Sequence, residues 1–175
     1  DRVVSEAKNN KWQVADVEES QAKRSPKPPF TTSTLQQSAS TRLGLSPSNT
    51  MRIAQKLYEA GHITYMRTDS LNLSKDAVAV TASVIEKKWG KNYVEVREYK
   101  TKSKNAQEAH EAIRPTHVDK LSAGASEDQK KLYKLIWERM VASQMGDAQV
   151  LKTKITAEVA GAKLELFAAN GSRVV

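Results

Sequence analysis

The 175-residue sequence contains no cysteine and no long run of apolar side chains. A chain without cysteine cannot form a disulfide framework, a thiolate nucleophile or a cysteine-based zinc site, which suits a reducing cytoplasm. Its apolar runs are only a few residues long, whereas roughly 20 apolar residues are needed to cross a bilayer. The N-terminal residues also lack the apolar stretch of a signal peptide. We therefore expect a cytoplasmic protein that makes no contact with a membrane.

Motifs for nucleotide and metal binding are missing as well. The sequence has neither a GxxxxGK[ST] loop nor a GxGxxG loop, so neither ATP-driven chemistry nor dinucleotide binding is indicated. The three histidines, His62, His110 and His117, lack a zinc-ligand spacing such as HExxH. We expect no nucleotide partner and no metal bound by these residues.

The charge of the chain is unbalanced. Its 28 Lys and Arg residues exceed its 20 Asp and Glu residues, which gives a formal net charge of +8 at pH 7. Such an excess favours a polyanionic partner, although many solvated surfaces carry a similar one.

The spacing of apolar residues predicts an α+β fold. Leu35, Ala39 and Leu43 recur at four-residue steps before Gly44, and Ser46 followed by proline starts a second helix. Two short helices with a tight turn make a helix-turn-helix candidate. The other predicted elements are a strand at 11–17, a basic linker at 21–30, a strand at 62–67, helices at 75–89 and from about 127 to 145, a hairpin of strands 152–159 and 163–167, and a turn at Asn170-Gly171.

Residues 61–70 read GHITYMRTDS and are the most informative segment. Side chains two apart on a strand point to the same side, so an extended segment would project Tyr65, Arg67 and Asp69 together. Arg67 can grip two phosphate oxygens beside the Tyr65 hydroxyl, while Asp69 orients the guanidinium. The segment thus predicts a nucleophilic site for a phosphodiester. The alternative is a tyrosine whose ring packs in a core and whose hydroxyl bonds to a neighbour.

Residues 108–116 read EAHEAIRPT and form a second candidate site. If this segment is helical, His110 and Arg114 lie one turn apart and present a switchable donor and a permanent cation to an anionic ligand. The alternative is a solvated helix face that binds nothing. Spacing alone leaves both interpretations open.

Together these two segments resemble the motifs of the type IA DNA topoisomerase family. Residues 61–70 look like the family's nucleophile motif, and residues 108–116 look like a second family motif at the expected distance. Two further stretches support the resemblance, namely PPFTTSTLQ at residues 28–36 and LIWERMVASQM at residues 135–145. The resemblance therefore covers nearly the whole chain.

The resemblance implies an isomerase that relaxes negatively supercoiled DNA by transient cleavage of one strand, strand passage and religation. Tyr65 would attack the DNA and form a 5′-phosphotyrosyl link, and Arg67 would hold the scissile phosphate. His110, Arg114 and Asp69 would be DNA-binding residues. The partner would be a single-stranded segment of supercoiled duplex in the bacterial nucleoid, and the protein would act as a monomer.

The same resemblance implies how the chain is divided. Residues 1–31 would be a β-rich arch segment and a basic linker, residues 32–114 a central helix-turn-helix-like domain with Tyr65, and residues 115–175 a return to the arch with a helix and a hairpin. Members of the family place a Mg²⁺-binding Toprim domain before this region, so Mg²⁺ would be bound there and not by this chain. We expect a fragment that bears the nucleophile and is inactive alone.

Two other classes of protein are alternatives. A non-catalytic winged-helix DNA-binding module would account for the two helices, the strand after them and the basic charge. Such a module has no need of Tyr65 and Arg67 on one strand face. A tyrosine recombinase also uses tyrosine with arginine and histidine at the phosphate, but His110 and Arg114 are one residue too far apart for its HxxR spacing.

Overall fold

The computed structural model describes residues 2–99 and 110–175. The elements follow the order α1 (Arg2–Asn9), β1 (Trp12–Arg24), α2 (Thr32–Leu43), α3 (Pro47–Glu59), α4 (Lys75–Trp89), a 3₁₀ turn (Lys91–Tyr93), α5 (Glu127–Ser143), β2 (Ala148–Val159) and β3 (Phe167–Val174). The predicted α+β class is confirmed, although α1 was not expected. Within the described ranges, no helix combines the length and the apolar character needed to span a membrane.

Contacts divide the chain into two units. Asp1–Ser25 and Asp147–Val175 form the sheet unit, and Pro26–Gly146 forms the helical unit. These limits differ from the ranges expected from the sequence, which placed residues 115–146 with the arch. The reason is α5, whose apolar side chains join the core of the helical unit and pack against α2 and α3.

The sheet unit contains a three-stranded antiparallel sheet in the order β1-β2-β3. β1 and β2 pair from Trp12 opposite Val159 to Arg24 opposite Ala148. β1 therefore continues well past residue 17, where the predicted strand ended, and occupies the start of the predicted linker. It stops just before Pro26, the first of three closely spaced prolines, because proline cannot donate to a ladder.

The predicted hairpin at the end of the chain is confirmed, but its second strand lies elsewhere. β3 begins at Phe167 rather than at residue 163. The turn expected at Asn170-Gly171 is wrong, since these residues pair with Lys154 and Thr153 inside the sheet. Pairing with β2 thus overrides the local turn preference of this dipeptide.

The helix-turn-helix predicted from capping signals is present as α2 and α3. Gly44 ends α2 in the left-handed conformation, with φ of 66°. The side chain of Ser46 accepts a hydrogen bond from the Asn49 amide at the start of α3, and Pro47 occupies the first helical position. Local chemistry alone accounts for this turn.

The core of the helical unit is built by side chains from its helices and from the segments between them. Its fully buried members include Phe30, Leu35, Leu57, Ile63, Met66, Ile85, Ile113, Leu132, Tyr133 and Ile136. Ile63 and Met66 come from the predicted nucleophile segment, so the core anchors that segment directly.

Candidate functional site

The segment after α3 is not a strand of a sheet, contrary to the prediction for residues 62–67. Only Ile63 forms a bridge there, opposite Pro115. Two backbone hydrogen bonds flank this pair, from the Thr64 amide to the Arg114 carbonyl and from the Thr116 amide to the His62 carbonyl, and the pairing goes no further. Further along, the backbone of Met66 and Thr68 bonds to the side chain of Thr32 instead of to a partner strand. The winged-helix alternative thereby loses the strand on which it depended.

The alternation of side chains expected from an extended segment is nevertheless present. Tyr65, Arg67 and Asp69 are exposed, whereas Met66 and Thr68 between them are buried. The buried residues hold the backbone, and the three polar side chains lie at the surface. The roles assigned to these three residues stay predictions.

Tyr65 differs from a core tyrosine. Its side chain is 40% exposed, and its ring makes a T-shaped contact with the ring of Tyr58 on α3 at a centroid distance of 5.3 Å. Its hydroxyl makes no hydrogen bond to another described residue. Tyr133 provides the contrast, because it is 1% exposed, its hydroxyl lies 2.8 Å from the carbonyl oxygen of Lys120, and burial raises its pKa to about 12.

Thr64 fixes the backbone immediately before Tyr65. Its hydroxyl donates to the carbonyl of Ala112 at 2.7 Å and accepts from the amide of Arg114 at 2.9 Å. Its own amide donates to the carbonyl of Arg114 at 2.9 Å. Residues 112–114 therefore hold the start of the segment that carries Tyr65.

Arg67, Asp69 and His110 line one groove at the N-terminus of α2. The groove has a volume of about 580 Å³. Its other lining residues are Thr31, Thr32, Ser33, Gln36 and Thr68. A helix N-terminus carries partial positive charge, which favours an anion. In α2 the amides of Thr32 and Thr34 are already paired, with the Thr68 carbonyl and the Thr31 hydroxyl. The first turn of α2 was given no such role from the sequence, although it falls inside the PPFTTSTLQ stretch.

Asp69 does not orient Arg67 in the way that the spacing predicted. Within the described part of the chain, no ion pair or hydrogen bond joins the Arg67 guanidinium to another residue. Arg67 is exposed at the groove, so its charge is available to an anionic ligand.

The prediction that the second segment is helical is wrong for the residues that can be described. Glu108 and Ala109 lie outside those residues, and from His110 onward the chain is not helical. Ile113 bridges Phe30, and its amide donates to the Phe30 carbonyl at 2.8 Å. Ile113 thus bonds to Phe30 instead of within a helix, and Pro115 disfavours helical geometry in the residue before it.

Arg114 does not line the groove that contains His110. Its Nη2 and Nε atoms lie 2.6 and 3.3 Å from the two carboxylate oxygens of Glu111, and its Nη1 donates to the carbonyl of Pro115 at 3.0 Å. The side chain of Arg114 is only 14% exposed. The structure thus brings His110 to the groove and commits Arg114 to its own segment.

Glu111 connects this segment to α4. Its carboxylate accepts a hydrogen bond of 2.6 Å from the amide of Ser74, the N-cap of α4. Burial raises the pKa of Glu111, but the hydrogen bonds from Arg114 and Ser74 lower it by more, so the net shift is downward.

The described residues do not fit a metal centre. Across residues 2–99 and 110–175 there is no cluster of three or more His, Asp or Glu side chains able to hold an ion. The Mg²⁺ implied by the family resemblance therefore finds no ligand set among them.

A family model described as DNA topoisomerase matches residues 1–175. The chain therefore belongs to the DNA topoisomerase family, which confirms the resemblance drawn from its motifs. The tyrosine recombinase alternative is excluded by this membership.

Curated relatives and a solved structure agree with the family. The chain is 47% identical over 168 residues to DNA topoisomerase 1 of Synechocystis sp., covering 93% of this chain and 18% of that protein. It is 49% identical over 168 residues to DNA topoisomerase 1 of Synechococcus elongatus, covering 93% and 19%. Full-length topoisomerase I from Thermotoga maritima matches with a TM-score of 0.76 and 37% identity over 99% of this chain and 29% of that one. The chain thus spans about a fifth of the length of these two curated relatives.

Proposed function

We propose that this chain is the nucleophile-bearing region of a type IA DNA topoisomerase, in which Tyr65 cleaves one DNA strand. The observation that carries the proposal is the exposed pair Tyr65 and Arg67 on a segment whose alternate residues are buried. Cleavage, strand passage and religation by the longer protein would relax negatively supercoiled DNA.

The proposed cleavage is a transfer of one phosphodiester bond. The Tyr65 hydroxyl oxygen attacks phosphorus, a new oxygen–phosphorus bond forms, and the bond to the 3′ oxygen breaks. Tyrosine loses its proton to solvent, and the departing 3′ oxygen takes up one proton. The 5′ phosphate stays on Tyr65, and religation runs the same steps backward.

Arg67 and the groove would stabilise the negative charge of the DNA during cleavage. The planar guanidinium can bind two non-bridging oxygens of the attacked phosphate and stabilise the charge that develops there. The side chains of Thr31, Ser33 and His110 border the same groove, so they support binding of the neighbouring phosphates. Asp69 also lies at the groove and stays a predicted DNA contact, whereas Arg114 lies away from it.

We assign the Mg²⁺ that the resemblance implies to another domain of the longer protein. None of the described residues would bind the Mg²⁺ ion. For this reason we expect the 175-residue chain by itself to form no covalent product with DNA.

The test is covalent capture of DNA by a full-length topoisomerase that carries this sequence. An end-labelled single-stranded oligonucleotide is incubated with the parent protein, Tyr65→Phe and Tyr58→Phe in the presence of Mg²⁺. Tyr58 is the matched control, because it is also 40% exposed and its ring touches that of Tyr65. The parent and Tyr58→Phe should retain label on a denaturing gel, and Tyr65→Phe should not.

Two further measurements separate chemistry from folding. Tyr65→Phe should leave the melting temperature unchanged, because its hydroxyl has no partner among the described residues. Arg67→Lys keeps the charge but loses the planar fork, so adduct formation should fall by about 10²-fold. Covalent product from Tyr65→Phe would disprove the nucleophile assignment.

A further inference from the structure

We infer that Thr32 is a positioning residue for Arg67, a role that rests on the proposed function and deepens it. Thr32 is the first residue of α2 and borders the groove that Arg67 lines. It comes from a segment far from Arg67 in the sequence, and no motif assigns it a role in the reaction.

The hydroxyl of Thr32 bridges the two peptide groups on either side of Arg67. Thr32 Oγ1 lies 2.7 Å from the carbonyl oxygen of Met66, to which it donates. The same oxygen lies 2.9 Å from the amide nitrogen of Thr68, from which it accepts. The first group belongs to the peptide bond before Arg67, and the second belongs to the peptide bond after it.

This bridge fixes the backbone conformation of Arg67. Because peptide groups are planar, only φ and ψ of Arg67 can change the relative orientation of the two groups. A rotation about either angle pulls one of them away from Thr32 Oγ1 and breaks a hydrogen bond. The hydroxyl of Thr32 therefore restrains the direction in which the Arg67 side chain leaves the backbone.

Further contacts keep Thr32 and the bridged segment together. The Thr32 amide, which has no partner within α2 because it lies in the first turn, donates to the carbonyl of Thr68 at 2.9 Å. The side chains of Met66 and Thr68 are 1% and 8% exposed. The segment is thus held by the burial of Met66 and Thr68 and by its hydrogen bonds to Thr32.

Positioning through the backbone matters because the guanidinium of Arg67 has no hydrogen bond or ion pair to another described residue. No neighbouring side chain in those ranges orients it. The conformation of its backbone is what brings it to the groove, so loss of the Thr32 hydroxyl should misplace it. A displacement of about 1 Å at a reacting group can lower a rate by about 10²-fold.

The test uses three substitutions in a full-length topoisomerase that carries this sequence. Thr32→Val keeps the shape of the side chain and removes the hydroxyl, and Thr32→Ser keeps the hydroxyl. Thr34→Val is the matched control, because the Thr34 hydroxyl accepts from the Thr31 amide at 2.9 Å in the same helical turn but does not touch the peptides of Arg67.

We expect Thr32→Val to slow single-turnover formation of the covalent adduct by about 10- to 100-fold. Thr32→Ser and Thr34→Val should stay within about 2-fold of the parent rate. The affinity of the unreacted oligonucleotide, measured by fluorescence anisotropy, should change by no more than about 2-fold in all three. A loss in Thr34→Val as large as that in Thr32→Val would overturn the inference, because it would reflect the stability of the helix end.

A double-mutant cycle with Arg67→Ala distinguishes positioning from a general structural effect. In the Arg67→Ala background, Thr32→Val should slow adduct formation by no more than about 2-fold, because there is no guanidinium left to position. An equal loss in both backgrounds would refute the role. If the parent protein forms no adduct at Tyr65, the proposed function fails. If the parent does form the adduct and Thr32→Val reacts at the same rate, only the inference about Thr32 fails.

Discussion

Glu111→Gln removes the negative charge that joins Arg114 to the start of α4. In the native structure the Glu111 carboxylate binds two nitrogens of the Arg114 guanidinium, at 2.6 and 3.3 Å, and the amide of Ser74 at 2.6 Å. Glutamine has nearly the same shape, but its amide group offers only one acceptor oxygen. In the variant the largely buried guanidinium of Arg114 therefore loses one of its two hydrogen bonds to residue 111.

The expected loss follows from the burial of the pair. A hydrogen bond to a charged group contributes about 1.5–3 kcal/mol, and solvent reaches 29% of the Glu111 side chain and 14% of the Arg114 side chain. We therefore expect the free energy of unfolding to fall by about 2 kcal/mol. For a chain of this size that corresponds to a decrease in melting temperature of about 4–8 °C.

The loss should depend on pH in a defined direction. The pKa of Glu111 is lowered in the folded protein from an ordinary value of 4.5. A carboxyl with a lowered folded pKa contributes its stabilisation fully above the unfolded pKa and loses it as pH falls through the folded pKa. The difference between parent and Glu111→Gln should therefore be constant above pH 4.5 and shrink below that value.

The assay is circular dichroism melting and urea unfolding of parent and variant over a pH series. Glu127→Gln is the control, because Glu127 also pairs with a cation three residues later, at 2.8 Å, but is 74% exposed. It should melt close to the parent, since exposed ion pairs contribute little. If Glu111→Gln is no less stable than Glu127→Gln at neutral pH, or if its deficit is the same at every pH, the pair with Arg114 does not stabilise the fold.

Two other predictions concern DNA binding and the turn between the helices. If the chain contacts about four phosphates of single-stranded DNA, the logarithm of its affinity should fall with log salt at a slope near −3, and a salt-independent affinity measured by fluorescence anisotropy would contradict this. Gly44→Ala should lower the free energy of unfolding by about 1–2 kcal/mol, because Gly44 adopts the left-handed conformation. Gly171→Ala in β3 should lower it far less, since Gly171 does not have a positive φ and no atom lies within 4 Å of the added Cβ. Equal melting temperatures for the two variants would count against the assigned turn.

The starts of α3, α4 and α5 were predictable from the sequence because their signals are local, whereas α1, which was not expected, shows no such cap among the described residues. Ser46, Ser74 and Ser126 each accept a hydrogen bond from an amide three residues later, and α3, α4 and α5 begin directly after them. A cap acts within one turn of backbone, so it can be recognised without knowledge of the rest of the fold.

Strand limits were less predictable because a strand depends on its partner. Asn170-Gly171 favours a turn by itself, yet it lies opposite β2 and is extended. The same holds for residues 62–67, whose β-branched and aromatic content predicted a strand. Their backbone bonds to side-chain hydroxyls and to single residues of other segments instead.

The exposed residues of the candidate site were predictable from the sequence, but the contacts that hold them in place were not. The two-residue spacing of Tyr65, Arg67 and Asp69 indicated a common surface, which the alternation of burial reproduces. The contact of Thr32 with the peptides of Arg67 and the pairing of Arg114 with Glu111 depend on how the segments pack. The contact of Thr32 has no signal in spacing or composition, and the three-residue spacing of Glu111 and Arg114 allows an ion pair without indicating its bond to the amide of Ser74.

The pairing of β1 with β2 has a consequence for the order of folding. The two strands lie on either side of the helical unit in the sequence, and their ends Arg24 and Ala148 are direct partners. During synthesis β1 leaves the ribosome long before β2 exists, so it has no partner while residues 26–146 are made. Closing so long a loop becomes easier once the helical unit has become compact and its two ends are near each other. We therefore expect the sheet to form late, and until β2 exists the unpaired backbone edge of β1 is open to other chains.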